Sequence, residues 1–189
     1  MTNEFKVALV GDTAVGKTCI ATRFTTNTFN KQEISSNSAA FYKKTVSVQD
    51  EYVKFQIWDT AGQECYKSLA PMYYRSAIAV LIVFDLSRPK TFEEVRYWVN
   101  EVQQKGSQNT QLILLGNKVD IEARAVSQEL GKQFAKQVGA KYYECSAATG
   151  EGVQQLFEEL ASNWLNKKTA TVGQQNLGLV EDLPQKKCC

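Results

Sequence analysis

Gly11-Asp12-Thr13-Ala14-Val15-Gly16-Lys17-Thr18 follows the apolar run Phe5 to Val10 and opens a stretch patterned as a helix. A strand, a glycine loop and a helix with the spacing G-x-x-x-x-G-K-[ST] describe a phosphate trap. The two glycines permit a tight turn and a close approach of backbone to ligand. The loop N–H groups, those of Thr13, Ala14, Val15 and Gly16 among them, then converge at a helix N-terminus, where the dipole favours anions. Lys17 is placed to reach terminal phosphates, and Thr18 offers a hydroxyl to Mg²⁺. The ordinary alternative is a glycine-rich turn with a surface lysine. The strand before the loop and the helix after it weigh against that reading.

The chain has 189 residues, 43% of them hydrophobic, which suits one soluble domain with a full core. Its longest apolar run, Ala77 to Phe84, is far shorter than the ~20 residues of a spanning helix and reads as a buried strand. Met1-Thr2-Asn3-Glu4 carries no basic region or apolar core of a signal peptide, so the expectation is a cytosolic product. Lys167, Lys168, Lys186 and Lys187 against Glu181 and Asp182 put the whole net charge of +2 into residues 167–189. The body is neutral and has no basic stripe, which argues against nucleic acid as a partner. Cys19, Cys65 and Cys145 have no metal-ligand spacing and read as reduced thiols.

Strand candidates are Phe5–Val10, Thr45–Val48, Val53–Trp58, Ala77–Phe84, Leu112–Leu115 and Tyr142–Cys145. Helical stripes lie between them: Phe92, Val95, Val99 and Val102, with Thr91 and Glu94 as an expected capping box; Leu130, Phe134 and Val138, entered through Ser127; and Val153, Leu156, Phe157, Leu160 and Trp164. Alternation of this kind predicts an α/β fold, a mostly parallel six-stranded sheet with helices on both faces and ligands at the carboxyl ends of the strands. The link Gln49-Asp50-Glu51 is too short for a crossover and predicts one antiparallel edge hairpin. The apolar period stops after Asn166. This divides the chain into a domain over 1–166 and a polar tail over 167–189, read as a flexible tether.

The strand Leu112–Leu115 runs into Gly116-Asn117-Lys118-Val119-Asp120, which puts Asp120 on the ligand side. Its carboxylate can accept two hydrogen bonds, and guanine presents two adjacent donors where adenine presents an acceptor and nothing. GTP is therefore expected over ATP, since an unpaired buried carboxylate penalises the wrong base. Trp58-Asp59-Thr60-Ala61-Gly62-Gln63 closes another strand, placing Asp59 for the Mg²⁺ shell and the Gly62 N–H for the γ-phosphate. Gln63, a neutral amide with donor and acceptor, can orient an attacking water.

With G-x-x-x-x-G-K-[ST], D-x-x-G-Q, N-K-x-D and Ser146-Ala147 in place over residues 5–166, the sequence resembles the small GTPases of the Ras superfamily, with their P-loop NTPase fold. Trp58 before Asp59, Leu69-Ala70-Pro71-Met72-Tyr73-Tyr74-Arg75 and the terminal Cys188-Cys189 resemble the Rab family. Ala39-Ala40-Phe41 with Ala70-Pro71-Met72 is most similar to its early-endosome branch. The resemblance implies a monomeric GTP/GDP switch with slow intrinsic hydrolysis, its segments 29–41 and 60–75 ordered by GTP. It adds Cys19, Phe29, Ser36, Ser146, Ala147 and Ala148 to the nucleotide site, Ser36 to the Mg²⁺ ligands, and Phe41, Trp58 and Tyr73 to an effector face. By themselves those three aromatics read as core. Implied partners are an exchange factor, a GTPase-activating protein, a GDP-dissociation inhibitor and effectors. The implied location is the cytoplasmic face of endosomal or vesicle membranes, with cycling through the cytosol.

Two departures stand out from that pattern. The first switch reads Ser36-Asn37-Ser38 where Thr, an apolar residue and Gly are expected, which predicts a looser GTP state and altered partners, with Ser35 as a rival ligand. Ala148 replaces a lysine whose stem packs on the guanine. Lys186-Lys187-Cys188-Cys189 is not a C-a-a-X box and resembles a double geranylgeranylation site, two lipids giving stable attachment where one is marginal. Two other readings compete. One is a GTP-binding interaction module with little hydrolysis; the other is a metabolic P-loop kinase, for which the chain shows no second-substrate site or lid.

Overall fold

The computed structural model describes residues 3–31, 39–60, 62 and 64–175. Strand β1 (Asn3–Gly11) passes through the glycine loop into helix α1 (Lys17–Thr26). The strands β2 (Ala40–Val48) and β3 (Glu51–Asp59) come next, then a 3₁₀ turn over Glu64–Leu69 and the short helix α2 (Ala70–Tyr74). After β4 (Ala79–Asp85), α3 (Pro89–Glu93) and α4 (Val95–Lys105) lead to β5 (Gln111–Asn117). Helix α5 (Gln128–Val138), β6 (Lys141–Cys145) and α6 (Val153–Gln175) complete the order.

The strands form one six-stranded sheet in the order β2-β3-β1-β4-β5-β6. Every pairing is parallel except that of β2 with β3, as expected for a two-residue connection. Side chains alternate across a strand, so a strand buried on both faces is apolar at every position. All seven residues of β4 are buried accordingly. Phe5, Val7, Leu9, Leu81, Val83, Ile113 and Leu115 face one core, where α1 and α6 cover the sheet. Phe24 of α1 stacks on Phe157 of α6 there, ring centroids 3.8 Å apart. Ala8, Val10, Val80, Ile82, Phe84 and Leu114 face the other, covered by Tyr74 of α2, Trp98 of α4 and Phe134 of α5. Burying each such large side chain is worth roughly 1.5–3 kcal/mol.

Three local features differ from the sequence pattern. Strand β2 begins at Ala40, well before Thr45, because as an edge strand it alternates half-buried with exposed residues and shows little apolar signal. Thr91 and Glu94 form no capping box. The short helix α3 starts at Pro89, whose fixed φ suits the first helical position. Inside that helix Thr91 donates its hydroxyl to Arg88 O (2.7 Å) and accepts from Asp85 N (3.0 Å). The third difference is α6, which runs on to Gln175, so helix replaces the expected irregular chain over residues 167–175. Lys168 Nζ donates to Asn3 Oδ1 at 2.8 Å and lies 5.3 Å from the Trp164 ring, tying that extension to β1. Cys188 and Cys189 lie outside the described residues. Among the described residues, Cys19 and Cys145 are not in disulfides.

Ser127 does cap α5, accepting from Leu130 N at 3.2 Å. Ser127→Ala is expected to lower stability by about 1 kcal/mol in urea denaturation, with the slope of the transition unchanged.

Candidate nucleotide-binding site

The carboxyl ends of β1, β3, β5 and β6 open onto one cavity of about 590 Å³. Thr13, Ala14, Gly16, Lys17, Thr18, Cys19 and Gly62 line one part of it. Phe29, Asn117, Lys118, Asp120, Ala147 and Ala148 line another. Residues some hundred positions apart are thus brought together by the topology: an open α/β sheet places its ligand where strand order switches, here beside β1.

The glycine loop is held by its carbonyls. Lys17, only 6% exposed, donates Nζ to Gly11 O (3.0 Å) and Asp12 O (2.7 Å). Burial pushes its ammonium down to about 8, against the opposing pull of Asp59 and Asp12. A cation so desolvated is a strong anchor for an incoming anion. Gly16 has φ +96°, and a Cβ there would stand 2.3 Å from Asn117 Nδ2. Gly62 packs over Lys17 so closely that a Cβ would lie 2.5 Å from Nζ and 2.6 Å from Asp12 O. Only glycine fits at either place.

Thr18 Oγ1 donates to Asp59 Oδ2 at 2.6 Å, with Asp59 fully buried at the end of β3. A hydroxyl and a carboxylate side by side are hard oxygen donors, the chemistry that Mg²⁺ takes. Among the described residues no cluster of three His, Cys, Asp or Glu side chains could hold a metal ion by itself. The pair therefore fits a cation that draws its other ligands from phosphate and water.

At the other end Asn117 joins three loops. Its Nδ2 donates to Val15 O (2.8 Å) and its Oδ1 accepts from Ala147 N (3.1 Å) and Cys145 Sγ (3.6 Å). Burial pushes the Cys145 thiol up, which keeps it protonated as that donor. Lys118 donates to Ala14 O (3.1 Å) and pairs with Asp85 Oδ2 (2.6 Å). Burial alone would push the Asp85 carboxyl up, but hydrogen bonds from Lys118, Ser87 and Arg88 outweigh it and hold it below the ordinary value. Asp120 stands exposed at the rim.

Two expected site residues, Val15 and Ser146, do not line the cavity with their side chains. Val15 points its side chain into the core and offers the site only backbone. Ser146 is fully buried: its N–H donates to Glu151 O and its hydroxyl accepts from Thr149 N, so it shapes the loop from behind. Ser36 and Gln63 lie outside the described residues. The aromatics do gather: Phe41 and Trp58 are paired across β2 and β3 with centroids 4.6 Å apart, and Tyr73 is 5.3 Å from Trp58. With Phe41 41% exposed and Met72 beside Tyr73 71% exposed, this cluster is surface, not core.

The sequence pattern missed Arg23, Asp85 and Arg88. Arg23 donates Nε to Ala147 O (2.8 Å), Nη2 to Ala148 O (2.6 Å) and Nη1 to Asn27 O (3.0 Å), its guanidinium 6.0 Å from the Phe29 ring. Asp85 was findable, since a carboxylate that ends a fully apolar strand lies on the ligand side of the sheet.

Comparison with known proteins agrees with this geometry. A model of the Ras family matches residues 6–166. Ras-related protein Rab5A of Oryza sativa subsp. japonica is 43% identical, over 87% of this chain and 82% of its own length. Ras-related protein Rab-5A of Dictyostelium discoideum is 42% identical over 90% and 85%. GTP-binding protein YPT52 of Saccharomyces cerevisiae is 38% identical over 92% and 87%. Fold and site define a P-loop nucleotide-binding protein. The chain belongs to the Ras family, and within it to the Rab GTPases related to Rab5.

Arg23→Met removes two charged donors from the loop that carries Ala147 and Ala148 and a third from Asn27 O. Stability is expected to fall by about 1–2 kcal/mol for these partly exposed bonds. Amide exchange at Gly150, which donates to Ser146 O within that loop, should quicken.

Proposed function

We propose that this chain is a GTP/GDP switch that hydrolyses GTP slowly and directs endosomal membrane traffic through GTP-dependent effector binding. The observation that carries the reading is a single cavity with a carbonyl-anchored phosphate loop at one end and Asn117, Lys118, Asp120 and Ala147 at the other.

Asp120 accepts the paired donors of guanine, Ala147 offers its N–H to the base, and Phe29 covers it. Lys17 and the loop N–H groups hold the phosphates. Thr18 and Asp59, with Ser36, hold Mg²⁺, which when bound offsets charge on the phosphate oxygens. Gln63 orients the attacking water, and the Gly62 N–H meets the terminal phosphate. No arginine is placed by motif to stabilise the transition state, so turnover awaits an activating protein, an effect of roughly 10³–10⁵ in related enzymes. Exchange factors and a GDP-dissociation inhibitor complete the cycle, and effectors read Phe41, Trp58 and Tyr73.

Membrane attachment rests on Cys188 and Cys189 as prenyl acceptors at the end of the tail over 167–189. Among the described residues no helix is long and apolar enough to cross a membrane.

Calorimetry with Mg²⁺ is expected to show guanosine triphosphate binding more tightly than adenosine triphosphate; the reverse order overturns the reading. In single-turnover assays Gln63→Leu should slow hydrolysis by about tenfold or more. Equal rates would instead favour an interaction module with little hydrolysis. Ala148→Lys should slow nucleotide release about fivefold, the worth of ~1 kcal/mol of restored stem packing on the base.

A further inference from the structure

Three successive peptide planes of the glycine loop are pinned from outside. Asn117 holds Val15 O at 2.8 Å, Lys118 holds Ala14 O at 3.1 Å, and Arg88 Nη2 holds Thr13 O at 3.1 Å. In a trans peptide the C=O of one residue and the N–H of the next point in opposite directions, and no described bond is cis. A donor that draws Thr13 O outward therefore turns the Ala14 N–H the other way, towards the cavity that Thr13 and Ala14 line. Asn117 and Lys118 belong to the N-K-x-D motif. Arg88 belongs to no motif.

We infer that Arg88 is a positioning residue for phosphate binding, aiming the Ala14 N–H through its hydrogen bond to the Thr13 carbonyl. Its own placement is well determined. Arg88 N donates to Asp85 O (3.0 Å), and Arg88 O accepts from Thr91 N (3.0 Å) and Thr91 Oγ1 (2.7 Å). Its Nε is held by Asp85 Oδ2 at 2.9 Å, and Asp85 Oδ1 is occupied by Ser87 N (2.9 Å) and Oγ (2.6 Å). Asp85 is 1% exposed and receives Lys118 on the same oxygen as Arg88. One buried carboxylate thus orders both cations that grip the loop from outside it, Arg88 and Lys118. Ala14 needs that grip, because its φ of +58° is a left-handed conformation that costs an alanine roughly 1–2 kcal/mol. Arginine alone has the fork to reach a carboxylate and a carbonyl together.

The inference rests on the nucleotide reading above and deepens it. The test is release of a fluorescent N-methylanthraniloyl GDP from the Mg²⁺ complex of the full chain, together with the amide resonance of Ala14 in the same complex. Arg88→Ala should speed release about five- to tenfold, the loss of one charged hydrogen bond, and shift the Ala14 amide upfield. Arg88→Lys should fall between the two in both readings, and it decides alone if Arg88→Ala does not fold. Ser127→Ala, a cap remote from the loop, serves as a control for lost stability and should move neither reading. Release within twofold of wild type, an unmoved Ala14 amide, or equal changes in Ser127→Ala overturns the inference. Wild type that retains no guanine nucleotide overturns the functional reading and this inference with it.

Discussion

The side-chain amide of Asn117 is the constraint on which the site depends. A primary amide offers donor and acceptor from one rigid plane. Here the donor fixes the carbonyl of Val15 in the phosphate loop, and the acceptor fixes the N–H of Ala147 in the loop after β6. Asn117 is itself the last residue of β5 and is 1% exposed, so its position is that of the sheet. The two ends of the cavity are therefore measured from one strand terminus. Displacement of that residue moves phosphate and base contacts together, and the space for it depends on Gly16 having no Cβ.

The sheet supplies this precision because its centre is buried twice over. β1 and β4 pack against α1 and α6 on one face and against α2, α4 and α5 on the other. Side chains in such a layer have no room to rearrange without cavities costing several kcal/mol. Loop residues that line the cavity are thus mounted on buried strand ends. Phe41 and Trp58 pair on the edge hairpin of β2 and β3 and Tyr73 joins from α2, so the aromatic cluster spans both segments expected to switch. Its exposure is the feature the sequence alone misassigned to the core.

Lys17, Thr18, Gly62, Asn117 and Asp120, which line the cavity, and Asp59, bonded to Thr18, were legible because the roles expected of them need particular residue types at fixed spacing. Such roles fix residue type and spacing, and a spacing can be read. Arg23 escaped because its partners are backbone carbonyls, which every residue has, and Arg88 because one of its two partners, Thr13 O, is of that kind; Asp85, which accepts from Lys118, Ser87 and Arg88, could have been read from its place at the end of an apolar strand. Thr91 was misread for a related reason. A threonine three residues before a glutamate has the spacing of a capping box, but Pro89 starts the helix earlier and leaves the hydroxyl for Asp85 and Arg88. The end of α6 was missed because apolar periodicity reports burial, whereas lysine and alanine sustain a helix without it. Beyond Asn166, Lys168 ties that helix to the domain through Asn3.

The same distinction explains how the chain tolerates Ala148. A lysine stem there would contribute contact to the base but would not set the loop's place. Arg23 does that from the other side, through the carbonyls of Ala147 and Ala148, and it also carries Asn27 at the end of α1 towards Phe29. Substitution at 148 therefore lowers apolar contact while leaving the geometry of the Ala147 N–H intact. At the phosphate end, Arg88 and Lys118 divide the grip on the loop through one carboxylate, an arrangement worth more than two separate surface pairs because Asp85 is withdrawn from solvent. On the proposed reading, retention would rest more on the phosphate end, where Asp85 orders two cations, than on the base end, where Ala148 offers little contact.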